Sequence, residues 1–529
     1  MPKKPERFWL AALLLAWLID LLFWNKAVGI SFPIFITLLL AVGIGLNWGE
    51  GIRPGWKSLL LAAFPLLFSL LAFLRAEPLT QTLSILAALG LLSLLAATYR
   101  SGFWVHYRLV DAVVALFNLG IAAFSRQITA GLSRAQPADE PSQTPKSKFI
   151  QQAFPILRGL LLALPVVAIL AVLLASADMI FAREMKTLLN IFDLNRLPEY
   201  LFRMVYILFF GYLLTGVYLH SAFPARQETR PDTEKNWFPS FLGSIEAYIV
   251  LGLVNLLFAF FVIIQFRYLF GGSANITETG FTYADYARRG FFELVAVALI
   301  SLGLYMTLGT VTRRSSAGQR RAFSTLSILL MVQVLIILVS AFQRLFLYES
   351  AYGFSRLRTY THIFIPWLGA LLISVIILEI VRRPGRLALA LLSMAAGFVL
   401  TLGLVNVDGF IVHQNLARAR LGFALDGEYL VTLSSDAVQS MVAGWQNADL
   451  PDKAREELSA ALACRVAIES AKPIPAWQSY HLSQSQALAA LKANAPLWKD
   501  TPTRLQNGIW MVKLGGKERR CIPTRTFMD

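Results

Sequence analysis

The chain has 529 residues, of which 56% are hydrophobic and only 15% charged. A soluble domain carries roughly 25% charged residues, so this chain lacks the side chains that cover a water-facing surface. Apolar runs of about twenty residues recur along it, the length that crosses a ~30 Å hydrocarbon core as a helix. A soluble enzyme, a disordered protein and a single-anchor receptor are excluded. The pattern specifies an all-α polytopic transmembrane helix bundle.

Lys and Arg number 48 against 32 Asp and Glu, a net charge of +16. Residues 406–529 hold 14 basic and 12 acidic side chains, so nearly all the excess flanks the spans before them. Charge placed there is topogenic and attracts anionic lipid, whereas a nucleic-acid binder gathers it on a soluble face. The expected partners are the lipid bilayer and its anionic lipids. Nucleic acid is not expected, and no protein partner is specified.

In chain order, Met1–Arg7 carries Lys3, Lys4 and Arg7 like a signal-peptide n-region. Phe8–Trp24 then lacks a small-residue cleavage site and reads as a retained first span. Ten more spans are expected at 27–46, 58–74, 79–98, 157–176, 200–220, 241–265, 291–311, 323–343, 360–380 and 387–405. Segment 104–124 would make a twelfth. It is apolar enough to insert, but Arg108, Asp111, Ala115, Asn118 and Ala122 recur three or four apart on one face, which suits an interfacial helix better. With 104–124 not crossing and the N-terminus cytoplasmic, 22 of the 34 basic residues in 1–405 fall inside; if it crosses, the tally is 17 to 17. The positive-inside rule selects the first arrangement, N-terminus in and tail out.

Residues 131–148 form a Pro/Ser-rich cytoplasmic linker. The expected organisation is a four-span block (1–100), the interfacial helix with its linker (101–156), a seven-span core (157–405) and a small, mainly helical extracytoplasmic domain (406–529). In that domain Pro451 starts a helix running to about Ser470, and Ser483–Asn494 forms another. Ile509–Leu514 and Lys517–Ile522 flank Gly515-Gly516 as a terminal β-hairpin. The two cysteines, Cys464 and Cys521, both lie in this tail. Joining them would close a loop of nearly sixty residues, a bridge that requires an oxidising compartment. The alternative is a pair of unbonded thiols.

Polar residues collect at the outer ends of the spans. One span runs out into Asp178, and the next outer loop holds Arg267, Tyr283, Asp285, Tyr286 and Arg288, with Glu293 one turn into the following span. The next loop supplies Arg344, Tyr348, Glu349, Tyr352, Arg356 and Arg358, followed by Tyr360 and His362. The last span exits through Asn406, Asp408, Asn415 and Arg418; positions 408, 411, 415 and 418 share one face of a helix continuing out of the membrane. Two readings stand side by side. Arginines and carboxylates at helix ends pair with one another while tyrosines form the headgroup belt. Alternatively, the arginine forks recognise phosphate or carboxylate and the tyrosines pack against a lipid or sugar.

The run from Leu347 to Tyr360, with Tyr348, Ala351, Tyr352, Gly353, Arg356, Leu357 and Arg358, resembles a bacterial membrane family known only as domain of unknown function 4173, close to number 4153. Ser176-Ala177-Asp178, the segment 283–293, the Asn406-x-Asp408…Ile411…Asn415…Arg418 spacing and Leu425-Asp426-x-x-Tyr429-Leu430 are similar to it too. The resemblance covers about residues 150–490. It implies a multi-pass protein of the bacterial cytoplasmic membrane and lends no reaction.

No P-loop, HExxH, GxSxG or dinucleotide fingerprint occurs, and no cofactor is expected. His106, His220, His362, His413 and His481 are scattered, so no metal site is expected. Asp20, Glu246 and Glu379 lie near span ends, and no acidic pair sits at a span midpoint. Prolines 33, 65 and 165 interrupt spans. Three functions fit: a protein binding or translocating an anionic envelope molecule at the Arg/Tyr cluster, a lipid-linked transferase using Asp178, Asp285 or Asp408, or a non-catalytic scaffold or sensor. The first ranks highest. The transferase ranks lower because the short first outer loop, about Asn25 to Gly29, contains no acid.

Overall fold

The computed structural model of the chain describes residues 4–135, 178, 197–222, 240–269, 290–471, 474–498, 501–507, 509–514 and 516–521. Eleven of its helices are α1 Pro5–Phe23, α2 Ser31–Gly49, α3 Trp56–Leu74, α4 Pro78–Ala97, α5 Leu109–Ala135, α6 Leu197–Ala222, α7 Ser244–Leu269, α8 Phe291–Val311, α9 Ala317–Tyr352, α10 Arg356–Ile380 and α11 Leu387–Val405. Among the described residues ten helices are long and apolar enough to cross a membrane. The ten include Leu109–Gln127 of α5 and omit α1, which carries Glu6, Arg7 and Asp20. The expected span 157–176 and Pro165 lie outside the described residues. The protein is an all-α polytopic helix bundle of the multi-pass membrane type.

Contacts divide the chain into two units, Met1–Leu21 with Ile121–His220 and Leu22–Gly120 with Ser221–Asp529. In the first unit, α1 buries Phe8, Ala12, Leu15 and Ala16, spaced to form one helical stripe. Asp20 accepts from Nε of Arg203 on α6 at 2.9 Å and from its Nη2, so the one buried acid of α1 is charge-paired. Gln127 donates to the carbonyls of Ala123 and Tyr212, tying α5 to α6.

In the second unit α2, α3 and α4 pack in succession, and α3 and α4 lean on α11. The series continues from α11 to α10 to α9, with α7 and α8 against α9. Leu330, Met331, Val334, Ile337, Leu338 and Ala341 make α9 the buried centre of this group. A capping box of Ser316 and Gln319 starts α9. With 36 residues it is about 54 Å long, well beyond a ~30 Å core. The sequence reading stopped this span at residue 343 and placed 344–352 in a loop. Those residues instead continue the helix, because no proline or glycine breaks the run before Gly353.

Asn406, with φ +53°, ends α11 and turns the chain into α12 Val407–Arg420. The expected continuous helix is thus broken at its exit. Its side chain caps the new helix by accepting from the Gly409 amide at 3.1 Å. Then follow α13 Gly427–Thr432, α14 Val438–Gln446, α15 Asp452–Ser470 and α16 Leu482–Ala493. Ile411, Leu416, Leu430, Met441, Leu458, Leu462, Leu491 and Val512 form the core of this C-terminal domain. Strands β1 Thr503–Gln506, β2 Ile509–Leu514 and β3 Lys517–Arg520 make an antiparallel sheet in that order. Leu514 pairs with Lys517, the register expected of the hairpin, and β1 extends it to three strands. Cys464 of α15 and Cys521 after β3 form a disulfide, their Cα atoms 5.2 Å apart.

Candidate functional site

Within the second unit, the C-terminal domain rests on one end of the long helices through groups whose sequence positions are far apart. The Ile30 amide, just before α2, donates to the Tyr480 carbonyl at 2.8 Å. Here Gly29 is required: a Cβ would stand 2.5 Å from that carbonyl oxygen. His481 meets the Ala72 carbonyl near the end of α3 at 3.2 Å. The amides of Ala76 and Glu77, in the α3–α4 link, donate to one oxygen of Asp436 at 2.8 and 2.9 Å. Arg75 reaches the Gly403 carbonyl near the end of α11. The seat is made of helix ends, which carry the backbone groups that helices leave unpaired.

Glu77 caps α4, accepting from the amides of Leu79 and Thr80 at 2.9 and 2.7 Å, with Pro78 at the first helical position where its missing N–H costs nothing. The Tyr360 hydroxyl of α10 donates to the same carboxylate. One turn earlier, Arg356 presents Nε and Nη2 to the two oxygens of Asp408 at 2.8 and 2.6 Å, a bidentate pair with Asp408 wholly buried. Asp408 also accepts the Ser434 amide at 2.6 Å. The Arg356 backbone amide donates to the Tyr429 hydroxyl at 2.8 Å. Asp426 accepts from the Tyr429 amide and so starts α13, the helix that carries this tyrosine.

Three carboxylates, from Glu77, Asp408 and Asp436, thus share one buried seat with Arg75, Arg356, Tyr360 and Tyr429. Burial pushes the Asp436 carboxyl above its ordinary range, and the Asp408 charge adds to the rise. The Ser483 hydroxyl, the Glu77 amide and the Arg75 charge oppose it. Burial likewise raises the Tyr429 phenol, and lowers Arg465, whose guanidinium donates to the Leu433 carbonyl at 3.0 Å.

A second group surrounds the end of α9. Gly353, at φ +81°, lets the chain turn into α10 within three residues. Asn415 clamps the turn, accepting from the Phe354 amide at 2.8 Å and donating to the Phe354 carbonyl at 2.9 Å. Arg418 donates to the carbonyls of Glu349 and Ala351 at 3.1 Å each, and to Ser350. Arg358 donates to the Gly353 carbonyl at 2.6 Å and lies over the Tyr348 ring. Glu349 is buried and meets Nδ1 of His362 at 2.8 Å. Arg344 bonds Gln265 at 3.3 Å.

Of the residues predicted from sequence, Arg356, Asn406 and Asp408 enter the buried seat. Tyr348, Glu349, Tyr352, Arg358, Asn415 and Arg418 gather at the α9–α10 turn. Arg344 lies a turn or two down α9, and Glu293 is exposed in the first turn of α8. Asp178 is described as exposed. Tyr283, Asp285, Tyr286, Arg288 and the Arg267 side chain lie outside the described residues. Sequence reasoning missed Glu77 and Asp436. The Glu77-Pro78 pair was a legible helix start, but nothing local marks Asp436 as a docking residue.

Near the other end of the bundle, Glu379 accepts from the hydroxyls of Tyr305 and Ser324, while Glu246 caps its own helix start through the Gly243 amide. Among the described residues no group of three His, Cys, Asp or Glu is placed to hold a metal ion.

No curated protein and no solved structure matches the chain. A family model does match, that of the domain of unknown function DUF4153, over residues 62–444. The match begins inside α3, well before residue 150 where the sequence resemblance became distinct, and it takes in Glu77, Arg356, Asp408, Tyr429 and Asp436 together. The chain belongs to the DUF4153 family.

Proposed function

We propose that the protein is a non-catalytic membrane platform whose helix bundle holds the C-terminal domain at the outer face of a bacterial cytoplasmic membrane, ready to engage an envelope partner. The observation that carries this reading is the Arg356–Asp408 fork, which joins the start of α10 to the domain and leaves neither charge for a substrate. As a transferase base Asp408 has little to offer, since its oxygens already accept from Arg356 and Ser434. Binding or translocation of an anionic envelope molecule by the whole Arg/Tyr cluster draws less support for the same reason. Among the described residues, the part at the α9–α10 turn keeps unused donors on Arg358.

The outward orientation has a geometric argument behind it. The domain touches the starts of α2, α4 and α10 and the ends of α3, α9 and α11, so these ends share one side. Leu242 bridges Thr312, and the Tyr248 hydroxyl donates to the Gln319 carbonyl, bringing the start of α7, the end of α8 and the start of α9 together on the other side. An even number of crossings must then separate α4 from α7. Three apolar segments lie between them, so one stays out of the bilayer, and the polar stripe from Arg108 to Ala122 selects α5. The disulfide suits the same external location.

Alkaline-phosphatase fusions after residues 130, 315 and 406 test the orientation: activity at 406 alone is expected, and activity at 315 with none at 406 overturns it. The platform role is tested in intact cells by photocrosslinkers replacing Lys453 or Glu456, exposed on α15. A discrete envelope-protein adduct is expected, and it disappears in Arg356→Ala, where the domain is unseated. Adducts that ignore that substitution, or none at all, refute the role.

A further inference from the structure

Two arginines at the α9–α10 turn differ in a way that decides their use. Arg356 spends its Nε–Nη2 edge, the fork that fits two oxygens at once, on Asp408. Arg358, two residues later, uses only Nη1, on the carbonyls of Tyr352 and Gly353. Among the described residues its Nε–Nη2 edge meets no acceptor. The Tyr348 ring covers one face of this guanidinium, 4.1 Å from its centre.

Arg418 of α12 is placed alongside. Phe423 covers its guanidinium at 4.4 Å, and its Nη atoms grip the last carbonyls of α9. Burial first, and then the charge of Arg358, hold Arg418 below the usual guanidinium value. Both guanidinium groups lie beside Gly353, close enough for their like charges to oppose each other, and among the described residues neither pairs with a carboxylate. The nearby Glu349 is taken by His362. Ser355, at the N-cap of α10, forms no side-chain cap, so the first-turn amides after that of Arg356, which donates to Tyr429, add positive potential.

The surroundings are apolar and exposed. Tyr352, Leu357, Leu421 and Phe423 are each about half exposed or more. An arrangement of two cations, helix amides and greasy residues at a span end fits a phosphate that arrives with acyl chains attached.

We propose that Arg358 and Arg418 together bind the phosphate of an anionic phospholipid headgroup, with Leu357, Leu421 and Phe423 against its acyl chains. The free Arg358 fork takes two phosphate oxygens, and the Arg418 charge closes the site. The bound anion relieves the repulsion between the two guanidinium groups.

The full chain in nanodiscs of phosphatidylcholine doped with phosphatidylglycerol tests this by native mass spectrometry. Wild type retains phosphatidylglycerol on release, and the Arg358→Gln/Arg418→Gln double variant retains it about tenfold less well, the loss expected for charge-assisted hydrogen bonds. Arg358→Lys/Arg418→Lys, which keeps the charge but loses the fork, falls between. No preference for phosphatidylglycerol in wild type, or the same preference in the double variant, overturns the proposal. Inorganic phosphate displacing the lipid at equal concentration reassigns the site to a free anion and overturns the lipid assignment. Should the double variant not fold, photoactivatable phosphatidylglycerol on the wild-type protein decides: adducts at 352–358 and 418–423 support the site, and adducts confined elsewhere refute it.

Discussion

Arg356 and Asp408 stand 52 positions apart in sequence and meet through two hydrogen bonds of 2.8 and 2.6 Å, with the carboxylate wholly buried. Burying such a pair gains little over packed apolar residues, but removing one partner strands the other charge. Asp408→Asn or Arg356→Ala is therefore expected to cost about 3–5 kcal/mol at the domain seat. Thermal unfolding of the purified protein and trypsin sensitivity of the chain after Asn406 measure it. The double replacement Arg356→Met/Asp408→Leu recovers most of the loss, and recovery of none of it would show that geometry, beyond charge pairing, is needed.

Asp436 gives the seat a pH dependence. Its carboxyl sits above the ordinary value of 3.8 in the folded protein, so the folded state holds its proton more tightly than the unfolded one. Its contribution to stability is then greatest at low pH and declines as pH rises from the unfolded value through the raised folded value. In Asp436→Asn, where the group cannot titrate, that slope is absent. Melting temperatures of wild type and variant across this interval, taken as a difference, cancel every other carboxylate. Parallel curves would contradict the assignment.

The disulfide closes a loop with a sequence separation of 57. Cys464→Ser, Cys521→Ser or reduction is expected to lower domain stability by about 4 kcal/mol on the chain-entropy model. The loss falls on α15 and the sheet, so hydrogen exchange rises there and stays unchanged in α7–α10. A uniform rise throughout the chain would mean that the domain and bundle unfold as one.

Gly29→Ala places a methyl group against the Tyr480 carbonyl. Relief requires the 477–481 segment to move, at about 1–3 kcal/mol for overpacking. Exchange protection of the Ile30 amide, which donates to Tyr480, reads the loss directly. Gly49→Ala, where a Cβ meets nothing within 4 Å, is the neutral control.

The spans were readable because each is apolar for its full length, and bilayer thickness fixes that length. Most helix bounds fall within a few residues of the sequence reading, as α8 and α11 show. Residues 344–352 misled because their charges look like a loop; yet a helix that outruns the bilayer by several turns carries charge on its protruding end. The face of Asp408, Ile411, Asn415 and Arg418 was legible from spacing alone, and Asp408, Asn415 and Arg418 do contact the segment 349–356. What they bind was not, since the same residues suit an ion pair or a ligand equally. Asp436 stayed hidden because its partners are backbone amides 359 and 360 positions away, and an amide leaves no signature in sequence. Helices α13 and α14 were missed because both are short and their stability comes from the core they join.

The pairing of Glu77 with Asp436 has a consequence for biogenesis. The ribosome delivers Asp436 359 residues after Glu77, at least eighteen seconds later at ~20 residues per second. Through that interval the Ala76 and Glu77 amides lack the Asp436 acceptor, and the ends of α2, α3 and α4 that seat the domain stay uncovered. Premature termination between the two points would leave the early helices permanently open and a ready target for quality-control proteases.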